Sequence, residues 1–279
     1  MEFDLGTQRL DEAELARCWR LHGSIILEAL EGRLAILVVS DIHSNFLALE
    51  AVDQDAAARA AIDAVWCLGD VVGYGPDPVA CIDFLVQRNA VCIAGNHDLA
   101  VAGLAPTSPF NPPALEAIVW TAEHLTTGEV AFLRALPFSL TFGPVTLIHA
   151  SPRQPIWEYL SDARAAAENF PLFKTQACLV GHTHHPIAFF QNPASGTVRR
   201  RRLTPGSRTP LEGSSRFFYN PGSVGQPRDG DKRAAYAIYD PERATLAHYR
   251  VDYDVKETQR RMRAARLPAG LVNRLSWGR

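Results

Sequence analysis

The chain has 279 residues, of which 47% are hydrophobic, and its formal net charge at pH 7 is −2. This length suits one large domain or two small ones, and the near-neutral charge argues against a dedicated nucleic-acid binder, which would carry a clear basic excess. The longest apolar stretch, residues 21–40, is interrupted by Glu28, Glu31 and Arg33, so we expect no membrane span.

Cysteine usage and the N-terminus bear on the compartment. The five cysteines are odd in number and show no paired spacing, which predicts free thiols in a reducing environment. The N-terminus is acidic and shows no signal-peptide pattern. We therefore expect a cytoplasmic protein without disulfides.

The first part of the chain alternates predicted helices and strands. Helix-like periodicity over residues 8–30 leads us to interpret residues 1–33 as an N-terminal helical extension. A continuous apolar run follows at residues 34–40, which is typical of a strand covered on both faces. The next predicted elements are a helix at 48–64, a strand at 65–68, a helix at 77–88 and a strand at 90–94. This order predicts an α/β domain.

The second part changes character twice. A Pro-rich passage at 106–113 precedes two predicted helices at 114–125 and 128–136, which we interpret as a helical insertion at about residues 103–140. Further strands are predicted at 145–148, 178–180, 216–219, 234–239 and 245–251, and a basic helix is predicted at 256–266. The predicted domain thus covers residues 34–255, and a helical segment occupies 256–279.

Metal-binding residue types are concentrated where predicted strands end. The five endings read Asp41-Ile-His43, Gly69-Asp70, Gly95-Asn96-His97-Asp98, Ile148-His149 and Gly181-His182-Thr183-His184. The carboxyl ends of strands in an α/β sheet converge on one ligand-binding edge, so we expect these side chains to lie together. Asp, Asn and several imidazoles without Cys suit a pair of divalent transition ions rather than magnesium or calcium, which prefer oxygen ligands.

Such a set can hydrolyse a phosphorus ester. The carboxylate of Asp70 has two oxygens and can bridge two ions, while imidazoles and the Asn96 carbonyl complete each shell. Two ions about 3.5–4 Å apart clamp the attacking and leaving oxygens of a displacement at phosphorus, and water held between them loses a proton near neutral pH. His97, next to Asn96, is free to protonate the leaving oxygen as a general acid.

The order of these motifs resembles that of the calcineurin-like metallophosphoesterase superfamily. Asp-x-His, Gly-Asp, Gly-Asn-His-Asp, a lone strand-end His and Gly-His-x-His follow one another between Asp41 and His184. The runs at residues 73–78 and 220–225 are similar to those of the bacterial general phosphoesterase branch. The resemblance implies a four-layer α/β/β/α sandwich with two mixed β-sheets, and two divalent ions drawn from Mn, Fe, Zn, Ni or Co.

The resemblance also implies how the ligands divide between the ions. One ion takes Asp41, His43, Asp70 and His184, and the other takes Asp70, Asn96, His149 and His182. The protein-phosphatase branch places an Asp three residues after the bridging Asp to orient the catalytic His, and this chain has Gly73 there. His97 therefore lacks that partner.

Three further residues are candidates for substrate contact. Arg153 and Arg228 follow strand-end motifs and could each bind phosphate oxygens through two hydrogen bonds. Tyr74 lies in a Gly-rich loop and could stack on a base. We predict a metal-dependent phosphoesterase that hydrolyses a small phosphodiester or nucleotide-type substrate through a metal-bridging hydroxide. A Ser/Thr-type protein phosphatase or a phosphomonoesterase is the alternative enzyme. The insertion at 103–140 would narrow the entrance to the site, which disfavours folded protein substrates. A non-catalytic scaffold on the same fold is the alternative of another class, and it would bind no metal.

Overall fold

The computed structural model describes residues 35–213 and 215–279, so the predicted extension at 1–33 lies outside the described residues. The strands are β1 (Ala35–Val39), β2 (Ile62–Cys67), β3 (Val91–Cys92), β4 (Ser139–Phe142), β5 (Val145–Ile148), β6 (Ala177–Leu179), β7 (Ile187–Gln191), β8 (Val198–Arg202), β9 (Arg208–Pro210), β10 (Phe217–Asn220), β11 (Ala234–Asp240) and β12 (Thr245–Val251). The helices are α1 (Phe46–Arg59), α2 (Pro78–Gln87), α3 (Asn96–Val101), α4 (Pro112–Glu123), α5 (Thr127–Arg134), α6 (Ala163–Asn169), α7 (Val255–Ala264) and α8 (Ala269–Arg274).

Two mixed sheets form the middle of the molecule. The first has the strand order β3-β2-β1-β11-β12-β9, and the second has the order β4-β5-β6-β10-β7-β8. Strands β1, β2 and β3 are mutually parallel, as are β5, β6 and β10, and the other neighbouring pairs are antiparallel. Each sheet therefore has a parallel part whose strands end at a common edge.

The side chains of β1 show how the layers are stacked. Ile36 and Val38 belong to a core between the two sheets, whereas Leu37 and Val39 belong to a core with α1 and α2 on the other face of the first sheet. Successive side chains of a strand point to opposite faces, so a continuous apolar run is what a strand covered on both faces requires. A third core around Phe218 lies between the second sheet and α6. The predicted four-layer α/β/β/α sandwich is confirmed.

Capping residues set the limits of the helices near the site. The side chain of Asn111 accepts a hydrogen bond from Ala114 N at 3.0 Å, and two prolines occupy the first turn of α4. This is the preferred chemistry of a helix start, so the Pro-rich passage leads directly into α4. Helices α3 and α6 escaped the sequence patterns, because their six and seven residues are too short to display a helical period.

Helices α7 and α8 pack against the middle of the chain. Met262 and Leu271 share an apolar cluster with Ala114 of α4 and with Tyr74, which lies in the loop after β2. The end of the chain therefore supports a loop that also carries the candidate ligand Asp70. Across residues 35–213 and 215–279, no helix combines the length and apolarity that crossing a membrane requires.

Candidate metal centre

The structure brings the five strand-end motifs to one edge of the sandwich. Strands β1, β2 and β3 of the first sheet lead into three of them, and β5 and β6 of the second sheet lead into the other two. The Asp, Asn and His side chains of these motifs are at most 4% exposed. The residues gathered here are Asp41, His43, Asp70, Asn96, His149, His182 and His184.

These side chains form two groups that share Asp70. The donor atoms of Asp41, His43, Asp70 and His184 lie within 4.8 Å of one another, and so do those of Asp70, His149 and His182. Asp70 Oδ2 lies 3.6 Å from His43 Nε2 in the first group and 3.5 Å from His149 Nε2 in the second. Its other oxygen, Oδ1, accepts a hydrogen bond from His97 N at 2.9 Å. One oxygen of Asp70 therefore faces both groups.

The first group is compact. His43 Nε2 lies 3.1 Å from His184 Nε2, and His184 Nε2 lies 3.3 Å from Asp41 Oδ1. Both carboxylate oxygens of Asp41 accept a hydrogen bond from His182 N at 3.1 Å. This contact ties the turn after β1 to the turn after β6, and thus one sheet to the other.

Backbone carbonyls orient the imidazoles. Four ring nitrogens contact carbonyl oxygens: His43 Nδ1 with Val72 O at 3.2 Å, His149 Nδ1 with Leu68 O at 2.7 Å, His184 Nδ1 with Gln226 O at 2.6 Å and His182 Nε2 with Trp157 O at 3.2 Å. A ring nitrogen that donates to a carbonyl leaves the other nitrogen with a free lone pair, which is how metal-ligating histidines are usually held.

The donor set fits a metal ion. Asn96 Oδ1 is buried and has no hydrogen-bond partner among the described residues. An unsatisfied buried acceptor costs about 1–3 kcal/mol, and a cation at this position would satisfy it. Aspartate, asparagine and imidazole donors within coordinating reach of one another are typical ligands of divalent transition metals. These clustered residues could therefore hold divalent metal.

Backbone strain accompanies the ligands. Five of them have positive φ values, a region that non-glycine residues rarely adopt: Asp41 (52°), His43 (49°), Asp70 (53°), His182 (63°) and His184 (58°). Such strain costs on the order of 1–3 kcal/mol per residue and is concentrated at functional sites. Glycines supply the close approaches between the turns, since a Cβ on Gly95 would collide with Asp70 and one on Gly181 would collide with Ser40.

Burial and mutual charge set the protonation states. Burial lowers the pKa of His43 and His184 well below the ordinary value, and it raises that of Asp41 to about 7. Burial opposes the charge of Asp70 too, but neighbouring imidazoles led by His149 hold its pKa well below the usual range. The pKa of His149 is raised to about 9, since the attraction of Asp70 outweighs burial. A metal ion would compete with that proton, because only a neutral imidazole is a ligand.

Aromatic packing holds His97. Its ring centroid lies 4.3 Å from that of Tyr74, 4.8 Å from that of His43 and 4.9 Å from that of Phe110. Gly73, with φ +88°, lies so close that a Cβ there would be 2.5 Å from His97 Nδ1. There is no room for an Asp at position 73 unless His97 moves. In this chain the aromatic contacts therefore orient His97, whereas in the protein-phosphatase pattern an Asp carboxylate orients the corresponding His.

A cavity of about 380 Å³ opens over the ligands. It is lined by Asp70, Tyr74, Asn96, His97, Pro109, Phe110, Asn111, Ala114, Gln154, Trp157, Tyr159, His182, His184 and Arg228. Two of the three residues predicted to contact substrate, Tyr74 and Arg228, line this cavity, and Tyr74 is only 6% exposed.

Arg153 does not belong to this lining. Its guanidinium contacts the carboxylates of Glu158 and Glu168, with Nη1 at 2.6 Å from Glu168 Oε2. These two acids occupy the donors that a phosphate would need, so we do not include Arg153 among the proposed substrate contacts.

The sequence did not predict which side chains form hydrogen bonds with the turns that carry the candidate ligands. Ser223 Oγ donates to Asp41 O at 2.7 Å, and Asn220 Nδ2 donates to Gly181 O and to Thr183 Oγ1. The carboxylate of Asp98 accepts from Val72 N and Gly95 N at 3.1 and 3.0 Å. The run at 220–225 and the last residue of the Gly-Asn-His-Asp motif were visible in the sequence, but only their contacts show what they do.

Comparison with known proteins places the chain among phosphoesterases. A family model described as the calcineurin-like phosphoesterase superfamily domain matches residues 34–244, which include every candidate ligand. An uncharacterised protein of Methanocaldococcus jannaschii is 36% identical over 255 residues, covering 88% of this chain and 98% of that protein. The crystal structure of a metallophosphoesterase from Sphaerobacter thermophilus is 42% identical, with a TM-score of 0.81 over 89% of this chain and 100% of that one.

A more distant relative has a more specific name. The symmetrical bis(5'-nucleosyl)-tetraphosphatase of Nitrosococcus oceani is 28% identical over 143 residues, which are 48% of this chain and 50% of that protein. The similarity thus spans half of either molecule.

Proposed function

The chain belongs to the calcineurin-like phosphoesterase superfamily and is a phosphoester hydrolase, and we propose that it hydrolyses a small phosphodiester or nucleotide-type ester at a centre of two divalent metal ions. The observation that carries this proposal is the position of Asp70. One of its carboxylate oxygens lies within 3.6 Å of a histidine from each ligand group, and both groups meet below a single cavity.

The chain's own groups have distinct roles in this proposal. When bound, the two ions would supply an activated water molecule and would offset the charge that develops at phosphorus. Arg228 lines the cavity, and its Nη2 donates to Gln226 Oε1 at 3.1 Å and to the Tyr74 hydroxyl at 3.4 Å. Its Nη1 has no hydrogen-bond partner among the described residues and could donate to phosphate oxygens. Guanidinium groups recognise phosphate through paired hydrogen bonds, and we assign to Arg228 the non-bridging oxygens of the ester.

His97 is the proposed general acid. Burial lowers the pKa of its imidazole to about 4 in the metal-free protein. A phosphate ester beside the ring would favour the protonated form, because a nearby negative charge stabilises a cation. His97 would then give its proton to the leaving oxygen.

The cavity favours a small substrate. A volume of about 380 Å³ lies within the range of small-molecule sites, and folded proteins do not enter such sites. Phe110, from the predicted insertion, and the aromatic residues Trp157 and Tyr159 contribute to its walls. Similarity to a bis(5'-nucleosyl)-tetraphosphatase over half the chain agrees with a nucleotide-type ester. The protein-phosphatase alternative has less support, because the aromatic walls of this small cavity would keep a folded protein substrate away from the candidate ligands.

The first experiment measures turnover of bis-p-nitrophenyl phosphate and p-nitrophenyl phosphate by metal-stripped protein reloaded with manganese. We expect metal-dependent turnover with the diester preferred, and preference for the monoester would favour the phosphomonoesterase alternative. Asp70→Asn should abolish activity and metal binding together, because it removes the shared negative charge, whereas Asp83→Asn at an exposed position of α2 should change neither. Retained turnover in Asp70→Asn would contradict the two-metal proposal, and a wild-type protein without metal would favour the scaffold.

The leaving group tests His97. Because p-nitrophenolate departs without a proton, His97→Ala should slow hydrolysis of its esters much less than that of alkyl esters, for which a general acid contributes about 100-fold or more. The comparison requires kcat for a p-nitrophenyl diester and for a dialkyl diester with metal content held equal. Equal losses on both esters would assign His97 to phosphate positioning instead.

A further inference from the structure

The residue that the sequence offered for base stacking is not accessible for it. Tyr74 is 6% exposed, and its ring packs against His43 at 4.6 Å and His97 at 4.3 Å between centroids. Its apolar surroundings include Ala114 and Leu271. A planar ligand cannot stack on a ring whose faces and edges are already covered, so Tyr74 forms the base of the cavity.

A different loop presents aromatic surface to the cavity. Residues 151–160, which we call the aromatic loop, follow the ligand His149 and carry Trp157 and Tyr159 into the lining. Tyr159 is 53% exposed, and its ring lies 4.1 Å from that of His182 between centroids, at an interplanar angle of 34°. The Tyr159 ring therefore packs against a candidate ligand, while about half of the residue's surface stays exposed.

Trp157 forms the adjoining part of the wall. Its ring meets that of Phe110 edge to face, with 5.4 Å between centroids and an angle of 65°. The backbone carbonyl oxygen of Trp157 lies 3.2 Å from His182 Nε2, so this contact fixes the backbone of the aromatic loop relative to the candidate ligands. The two aromatic side chains thus stand at a set distance from the place where phosphorus would lie.

The aromatic loop is held rigidly from behind. Glu158 accepts hydrogen bonds from Asn169 Nδ2 at 3.0 Å and from Arg153 Nε at 3.2 Å, and Arg153 N donates to Asn169 Oδ1 at 2.8 Å. Ala150 N also donates to Pro155 O at 2.8 Å. A platform fixed in advance loses little conformational entropy when a ligand binds, which favours affinity. Arg153 therefore has a role in shaping the cavity, although it does not line it.

We propose that Tyr159 and Trp157 bind the planar base of a nucleoside and thereby select nucleoside phosphate esters over aliphatic ones. This inference rests on the proposed function for its phosphate position, at the metal ligands and Arg228, beside which Trp157 and Tyr159 line the same cavity. Among the described residues that line the cavity, Arg228 is the only Lys or Arg and Asp70 is the only carboxylate, so the surface that Trp157 and Tyr159 present to the cavity is itself uncharged. An uncharged, flat group suits that surface, because bases stack on aromatic rings whatever their identity.

Two diesters with the same leaving group test the proposal. The p-nitrophenyl ester of thymidine 5'-monophosphate carries a base, whereas methyl p-nitrophenyl phosphate does not, and both release p-nitrophenolate. We expect the manganese-loaded wild-type protein to prefer the nucleoside ester in kcat/KM. Tyr159→Leu should raise KM for the nucleoside ester between about 5-fold and 150-fold, the range for loss of one stacked base, and should change KM for the methyl ester by less than about 2-fold.

Matched variants separate stacking from structural damage. Tyr159→Phe keeps the ring and should retain the preference for the nucleoside ester, and Phe138→Leu removes an aromatic ring that is also 53% exposed but does not line the cavity. Metal content should be the same in all four proteins. Equal changes on both esters in Tyr159→Leu would mean that Tyr159 only supports His182, and this result would overturn the proposal. So would a wild-type protein without preference.

Binding of the products keeps the two proposals distinguishable. Calorimetric titration with thymidine 5'-monophosphate and with methyl phosphate needs no turnover. Tyr159→Leu should weaken binding of the nucleotide and leave that of methyl phosphate unchanged. If the wild-type protein hydrolysed neither ester but the titration gave this result, the proposed activity would be contradicted and the base-binding site would be supported. If turnover occurred and Tyr159→Leu bound both products like wild type, the base site would fail alone.

Discussion

The ligand floor and the cavity wall of this site are built in opposite ways. The ligand floor is the set of seven candidate ligands at the strand ends, and each is at most 4% exposed. The cavity wall consists of Phe110, Gln154, Trp157, Tyr159 and Arg228, which come from loops and are partly or largely exposed. Backbone turns and carbonyl contacts fix the floor, whereas ion pairs and aromatic contacts hold the wall.

This difference separates chemistry from selection. The floor tolerates almost no displacement, because the turns that carry its residues lie within van der Waals distance of one another and five of these residues have strained backbones. The wall is attached to the same edge of the sandwich, but its side chains do not share the buried hydrogen bonds of the floor. Changes in the floor should therefore abolish turnover, and changes in the wall should alter substrate affinity.

The largest effect is expected from a single methyl group in the floor. Gly95→Ala places a Cβ on the Asp70 carboxylate, and displacing a reacting group by about 1 Å costs on the order of 100-fold in rate. We expect loss of metal and of turnover, measured by metal analysis and by hydrolysis of bis-p-nitrophenyl phosphate. Gly270→Ala makes the same change in α8, where nothing lies within 4 Å, and should leave both unchanged. Normal activity in Gly95→Ala would show that the floor adapts.

A middle-sized effect is expected behind the wall. Asp229 Oδ2 lies 2.6 Å from Arg250 Nη2, and both side chains are at most 6% exposed. Asp229→Asn leaves a buried guanidinium without its nearest carboxylate, which typically costs about 3 kcal/mol of unfolding free energy. Because Arg228 precedes Asp229 directly, KM should rise while kcat at saturation and metal content stay near wild type.

A surface pair provides the control for this prediction. Asp53 lies 2.6 Å from Arg88 in a pair whose side chains are 25% and 35% exposed, so Asp53→Asn should cost less than about 1 kcal/mol. Chemical denaturation of both variants gives the two values. A loss of kcat and metal in Asp229→Asn would show that floor and wall are not separate in function.

The smallest effect is a pH dependence that belongs to neither region. His248 of β12 is fully buried, and burial together with Arg250 lowers its pKa to about 4. An unfolded chain takes up this proton near pH 6.5, so the unfolding free energy falls as pH decreases below that value. His248→Leu should therefore gain about 1 kcal/mol relative to wild type between pH 7 and pH 5.5. The difference between the two denaturation series isolates His248, since the ligand histidines are common to both proteins, and parallel series would contradict this assignment.

Much of the fold could be predicted because its signals are local. The strand limits at Val145–Ile148 and Thr245–Val251 agree with the sequence prediction, since continuous or alternating apolar residues are bounded there by turn residues. Strand β3 proved to have two residues where a strand at 90–94 was predicted. Ile93 N still donates to Cys67 O of β2, but Ala94 N donates to Pro137 O, which lies outside the strands. Short elements such as α6 have no period to detect.

The sequence by itself determined which residues gather in the ligand floor, because each of them lies within five residues of the end of a parallel strand and such strands end at the same edge. The tertiary structure alone decided the wall, the partners of Arg153 and the burial of Tyr74. Phe110, Trp157 and Arg228 lie in loops that are far apart in the chain and have no periodic pattern, so only the packing of the sandwich brings them together. The orientation of each imidazole was likewise decided by carbonyls such as Gln226 O, whose position no local pattern specifies.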